Sequence, residues 1–272
     1  MLFAPHAIVF AASIAATVTG YGFVLLSSPL LLFLFSPREV VPLTLLLSWL
    51  VILSLVIRPT VWQAMDRGQV LRLVAGGVCG IPFGTAILAT LDPHVLRISL
   101  GVVITLLALV TLFSAPAGRA PLVPLPVWRA RSPSIGRAGN PLVVSGTSAW
   151  LRSLGAGFLG GILSGSSGLG GSLVVLYLAR RGMDKHQLRA TSAAVIWAYS
   201  TVTLTVYSLT GNLPANLGWS TLFLIPSLAA GRAAGNIVFS ALPDRRFRQV
   251  SLSLAAAAGA MTALAGILAN GT

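Results

Sequence analysis

The sequence predicts an all-α polytopic membrane protein, and three observations carry that prediction. Apolar residues make up 56% of the 272 and charged residues 8%, which leaves too little polar surface to wrap a water-soluble globule of this size. The apolar residues gather into eight runs, most of them about as long as one bilayer crossing, near 20 residues. The chain also repeats itself. Gly20, Gly22, Thr44 and Trp49 recur as Gly168, Gly170, Ser192 and Trp197, each 148 residues later; Gly80, Gly84 and Arg97 recur as Gly231, Gly235 and Arg248, each 151 later. A repeat of this kind is common in membrane transporters.

In chain order the runs cover Ala7–Phe35, Val40–Ile57, Leu71–Leu91, Leu96–Phe113, Trp150–Leu178, Leu188–Leu209, Leu217–Leu242 and Val250–Leu268. No Lys or Arg precedes the first, which reads as a membrane segment rather than a cleaved signal peptide. The first and fifth runs are too long: an unbroken helix of that length spans about 43 Å against a hydrocarbon core of about 30 Å. Both hold glycines midway, Gly20 and Gly22 in one, Gly168, Gly170 and Gly171 in the other. Broken backbone at membrane depth is tolerated only where protein covers it or a cavity lies beside it.

Basic residues decide whether these two segments cross or turn back. If both cross, Arg38, Arg97, Arg180, Arg181, Lys185, Arg189, Arg245, Arg246 and Arg248 lie on one side, and Arg58, Arg67, Arg72, Arg119, Arg129, Arg131, Arg137 and Arg152 on the other, nine against eight. If both are re-entrant hairpins, the count becomes fifteen against two, with only Arg38 and Arg97 opposite. The expected fold is therefore two inverted repeats, each a re-entrant Gly-broken helical hairpin plus three transmembrane helices. The alternative is eight plain transmembrane helices as 4+4. Residues 1–114 form the first repeat and 149–272 the second within one transport domain. The connection, 115–148, holds six of the sixteen prolines, four arginines and no acid, and reads as a solvated cytoplasmic linker. Both termini then lie outside a cell inner (plasma) membrane. The formal charge of +13 belongs to loops facing the bilayer headgroups rather than to nucleic-acid binding.

The candidate site follows from these breaks. A hairpin tip at mid-membrane aims the free N–H groups and positive dipole end of its second arm inward, which suits an anion. The tip residues are Gly20, Tyr21 and Gly22 in the first half and Ser164, Ser166, Gly168, Gly170, Gly171 and Ser172 in the second. Adjacent glycines exceed what close packing at spacings of four requires. The ladders Gly157/Gly161/Gly165, Gly76/Gly80/Gly84 and Ser227/Gly231/Gly235 read as packing that brings helices against the hairpins. Thr44, Thr191 and Ser192 offer hydroxyls near helix starts, to a ligand or to the helix itself. Trp49 and Trp197 read as core or as cavity wall. Arg232 is the one charge well inside a run, a functional hypothesis by default or a snorkelling side chain, and Asn236 lies one turn on.

No carboxylate or histidine sits at membrane depth, and the H-E-x-x-H, G-x-S-x-G and Walker patterns do not occur. The expectation is a non-enzyme with neither cofactor nor metal. The lone Cys79 reads as a packing residue.

The run Ser164-Gly165-Ser166-Ser167-Gly168-Leu169-Gly170-Gly171-Ser172, followed by Ala190-Thr191-Ser192, resembles the TauE/SafE family of sulfite exporters and toluene-sulfonate uptake permeases. The resemblance covers nearly the whole chain as two copies, the second closer to the family pattern. It implies sulfite, an organosulfonate or a related oxyanion or carboxylate as cargo.

The reading is thus a transporter, on balance an exporter, of a small anion held between two tips and moved by alternating access. The competing reading is a non-transporting scaffold whose basic linker docks a partner. The subunit count stays open, a homodimer included.

Overall fold

The computed structural model describes residues 3–19, 22–113, 147–179, 181, 183, 185–214, 217–241 and 260. Every regular element among them is a helix. The linker residues 115–146 and nearly all of the Val250–Leu268 run lie outside the described residues.

The first long run divides into α1 (Phe3–Thr19) and α2 (Phe23–Leu31), and the break ends on Gly22, whose φ of 99° only glycine adopts readily. Next comes α3 (Pro37–Val56), opened by Pro37 at its first position and by a capping box in which Ser36 and Glu39 bond each other's backbone N–H groups. A short α4 (Pro59–Ala64) follows, in a stretch the hydropathy pattern leaves as loop; the Trp62 indole ties it back to the Val56 carbonyl at 2.7 Å. Asp66 caps α5 (Arg67–Thr90) by accepting from the Gln69 N–H at 3.0 Å. After α6 (Pro93–Phe113) the second long run gives α7 (Thr147–Ser167) and α8 (Gly170–Ala179), followed by α9 (Lys185–Leu209) and α10 (Leu217–Ala241). Among the described residues α3, α5 and the Gln187–Leu209 part of α9 are long and apolar enough to cross a membrane.

Small residues decide how the helices meet. Without water to drive association, membrane helices gain from backbone approach, which small residues permit. A Cβ on Gly76, Gly80 or Gly84 of α5 would overlap backbone atoms of Leu154, Phe158 or Ile162 in α7, and one on Gly157, Gly161 or Gly165 would overlap the backbone of α5. Residue numbers rise together along both helices, so α5 and α7 run parallel. In the same way Gly231 and Gly235 of α10 lie against Phe10, Ser13, Ile14 and Thr17 of α1, again parallel. Gly80 faces the Phe158 carbonyl and Gly231 that of Phe10, positions 151 and 148 apart. The glycine ladders are packing surfaces, as their spacing predicts.

The opposite faces carry the bulk: Leu71, Val78, Phe83 and Ile87 on α5, and Trp219, Leu222, Phe223 and Ile237 on α10, are exposed. Large apolar side chains outside and glycines inside is the arrangement a lipid-facing helix needs.

Trp49 of α3 stacks on Trp197 of α9 with ring centroids 6.5 Å apart. The last turn of α3 at Leu55 meets the first turns of α9 at Arg189, Ala190 and Ala193, while Trp49 bonds Thr201, two turns further along α9. Helices α3 and α9 therefore run antiparallel.

Candidate functional site

The second tip is narrower than the sequence suggests. Helix α7 continues through Ser167, because Ser166 and Ser167 donate to the carbonyls of Ile162 and Leu163 at 2.9 and 2.7 Å and so stay in the helix. Only Gly168 and Leu169 leave it. Gly168 takes φ of 72°, and its N–H still bonds the Ser164 carbonyl at 3.0 Å. Ser164 and Ser166 thus sit in the last helical turns, not in an open stretch.

From Gly170 the chain turns back on itself. A Cβ on Gly170 would overlap the Gly160 carbonyl, one on Gly160 would approach Val174, and the Tyr177 and Ser153 hydroxyls lie 2.8 Å apart. Numbers fall on α7 as they rise on α8, so the pair is an antiparallel hairpin. Gly170 is required here by close packing, since its φ is not positive, whereas Gly168 is required by its backbone conformation. Gly171 faces Ile196 of α9.

At the first tip, Gly20 and Tyr21 lie outside the described residues. Gly22 stands at the N-cap of α2 and has no side chain with which to cap its first N–H groups. The two tips meet. A Cβ at Gly168 would stand 3.2 Å from Val24 and 3.3 Å from Leu45, and Leu169 is buried in one cluster with Phe23, Val24 and Leu45. The starts of α2 and α8, both rich in backbone donors, converge in the protein interior.

Equivalent carbonyls end the first arm of each hairpin, and α9 supplies a donor to both. Arg189 donates to the Thr17 carbonyl at 3.0 Å; Tyr207 donates to that of Gly165, 148 positions on. One arm is thus capped by a cation and the other by a neutral phenol. Sequence reasoning missed both donors. The available signal was Arg189 standing inside the Leu188–Leu209 run rather than before it.

The candidate hydroxyls are engaged within the protein. Thr44 donates to the Val40 carbonyl at 2.8 Å and lies 3.5 Å from the Ser28 hydroxyl. Thr191 accepts from the Asp66 N–H at 3.0 Å, joining the starts of α5 and α9, and Ser192 donates to the Arg189 carbonyl at 3.1 Å. Ser164 and Thr203 share a hydrogen bond of 3.1 Å. Ser172 is buried beside the tip, its N–H on the Leu169 carbonyl at 3.0 Å.

The tryptophan pair breaks the repeat. The Trp49 indole donates to Thr201 at 2.9 Å; the buried Trp197 Nε1 has no hydrogen-bond partner among the described residues. The residue matching Thr201 in the first half is Leu53, which has no acceptor to offer. Leaving such a donor unpaired costs about 1–3 kcal/mol, and one way to recover that is a ligand.

Arg232, half-buried, donates to the Ser54 carbonyl of α3 at 3.3 Å. The Asn236 side chain lies outside the described residues. The described acids Glu39, Asp66 and Asp92 stand at helix starts or just before them, and no cluster of three or more metal-ligating His, Cys, Asp or Glu occurs among the described residues.

A family model described as Sulfite exporter TauE/SafE matches residues 6–262. No curated protein and no solved structure gives a match.

Proposed function

The chain belongs to the TauE/SafE sulfite exporter family and is a membrane transporter, and from that premise we propose that it exports a small sulfur oxyanion, sulfite or an organosulfonate, held where the two hairpin tips meet. The reading is supported by the contact of Gly168 with Val24 and Leu45, which brings the starts of α2 and α8 side by side, where their remaining N–H groups would meet the anion. Trp197 Nε1 supplies a further donor. Anionic oxygens accept from such groups without any counter-cation, and the described acids lie away from the tips, at Ser36–Glu39, Asp66 and Asp92.

The halves are read as inverted repeats: α3 and α9 are related by the repeat and lie antiparallel. Rocking one half against the other would then open the tips to either side in turn. For an anion leaving a cell that is negative inside, the membrane potential contributes about 2.3 kcal/mol per charge per 100 mV, enough to drive export without a coupled ion. The linker faces the cytoplasm and both termini face outward in this reading.

Purified protein in proteoliposomes tests it. Sulfite efflux should saturate with concentration, accelerate when the loaded lumen is made negative, and fall in Trp197→Phe. Flux no greater than in protein-free liposomes, for sulfite and for a sulfonate panel, would turn the reading toward a scaffold.

A further inference from the structure

Helix ends at a hairpin tip carry both signs of charge. The start of α8 brings N–H groups, but the last turn of α7 brings carbonyl oxygens, whose partial negative charge repels the anion that the N–H groups attract. In an unbroken helix the Leu169 N–H would bond the Gly165 carbonyl. At the break it bonds the Leu163 carbonyl instead, at 3.2 Å, and the Gly165 carbonyl accepts from the Tyr207 hydroxyl of α9. Gly165 stands three residues before Gly168. Tyr207 is wholly buried, in one cluster with Leu169 of this tip and with Phe23 and Val24 of the other.

Helix α9 contains its own comparison. Tyr199, about two turns before Tyr207, donates to the carbonyls of Leu73 and Gly157 at 2.8 and 3.0 Å. Both tyrosines are buried and both reach an α7 carbonyl 42 positions before them. Gly157, however, lies in the middle of α7, so Tyr199 ties helices together away from the tip, whereas Tyr207 bonds the helix where it stops. The repeat supplies no second tyrosine for this task, since Pro59 stands at the position matching Tyr207. We propose that Tyr207 sets the anion selectivity of the tip site: its hydroxyl masks the last-turn carbonyl of Gly165, so that N–H groups rather than a bare carbonyl oxygen meet the ligand. This assignment rests on the reading of the tips as the anion site.

Tyr207→Phe deletes the hydroxyl and keeps the ring; Tyr199→Phe deletes the same kind of bond in mid-helix. Full-length protein in a non-ionic detergent is titrated calorimetrically with sulfite in alkaline buffer, where it is a dianion, and with methanesulfonate, a monoanion. Tyr207→Phe should weaken sulfite binding roughly 3- to 30-fold, the range expected for one charge at a helix terminus. Methanesulfonate binding should fall by about the square root of that factor, because a Coulombic cost scales with the charge of the ligand. Tyr199→Phe should lower the melting temperature and leave both affinities unaltered. A loss equal for the two anions, or shared by Tyr199→Phe, would make Tyr207 a structural strut and overturn the proposal. Should Tyr207→Phe not fold, fluorotyrosine in place of Tyr207, a stronger donor of nearly the same shape, should raise sulfite affinity; an unchanged or lower affinity would overturn the proposal likewise. Unaltered binding of both anions by Tyr207→Phe would remove the proposal and leave the tip site standing, whereas binding of neither anion by the wild type would overturn the tip site and the proposal together.

Discussion

The two hairpins are docked by the same helix pairing and by different surfaces. Where α7 meets α5, both partners present glycine: Gly157, Gly161 and Gly165 on one, Gly76, Gly80 and Gly84 on the other. Where α1 meets α10, only α10 does, through Gly231 and Gly235, and α1 brings Val9, Ser13 and Thr17 at the positions matching those three glycines. Ser13 then bonds the Leu228 carbonyl at 2.8 Å, and His6 bonds Ser227 at 2.6 Å. The α5–α7 joint thus interlocks glycines of both helices, whereas the α1–α10 joint sets glycines of one helix against the Phe10 carbonyl, the Ile14 backbone and the Cβ atoms of Ser13 and Thr17. The second hairpin is accordingly the more tightly fixed, with glycine on both sides of its joint, while the first relies on glycine from one side and on hydrogen bonds.

The largest effect should come from the fixed joint. In Gly80→Ala the new methyl would overlap the Phe158 carbonyl, so α7 must move or the helices part; overpacking of this kind costs about 1–3 kcal/mol or more. Thermal unfolding in detergent, followed by size-exclusion, should show a clear loss of stability. Gly235→Ala is the milder counterpart, since its methyl would meet nothing closer than the Thr17 Cβ at 2.8 Å, whereas that of Gly80→Ala would stand closer still to the Phe158 carbonyl oxygen. Its melting temperature should fall by less than half as much. Equal losses would erase the distinction between the joints.

The tryptophan pair sharpens the comparison on a smaller scale. Trp49→Phe deletes the bond to Thr201 and should lower stability by about 0.5–1.5 kcal/mol from that bond alone. Trp197→Phe deletes no bond and relieves an unpaired donor; the unliganded protein should lose less, while sulfite affinity, read by calorimetry, declines. Reversed effects would show that Trp49, not Trp197, faces the ligand.

Much of this architecture is legible in the sequence because it is periodic. Offsets of 148 and 151 mark the paired glycines, and two overlong runs mark the breaks. Contacts between distant helices leave no such trace: nothing in the spacing of Arg189 or Tyr207 tells that each reaches a carbonyl at the end of a hairpin arm. The width of the second tip was obscured for a local reason, since Ser166 and Ser167 satisfy themselves within the helix as readily as in an open turn. Thr191 accepts from the Asp66 N–H, a partner 125 residues away that only the folded chain brings near.

The central claim is that two re-entrant hairpins enter from opposite sides. Single cysteines in a Cys79→Ala background measure it most directly: Ala4→Cys and Leu34→Cys bracket the first hairpin, and Ser148→Cys and Met183→Cys bracket the second. In intact cells an impermeant thiol reagent should label both members of the first pair and neither of the second, which should react only after permeabilisation. Opposite labelling within either pair would mean that the long segment crosses the bilayer, and would contradict the account.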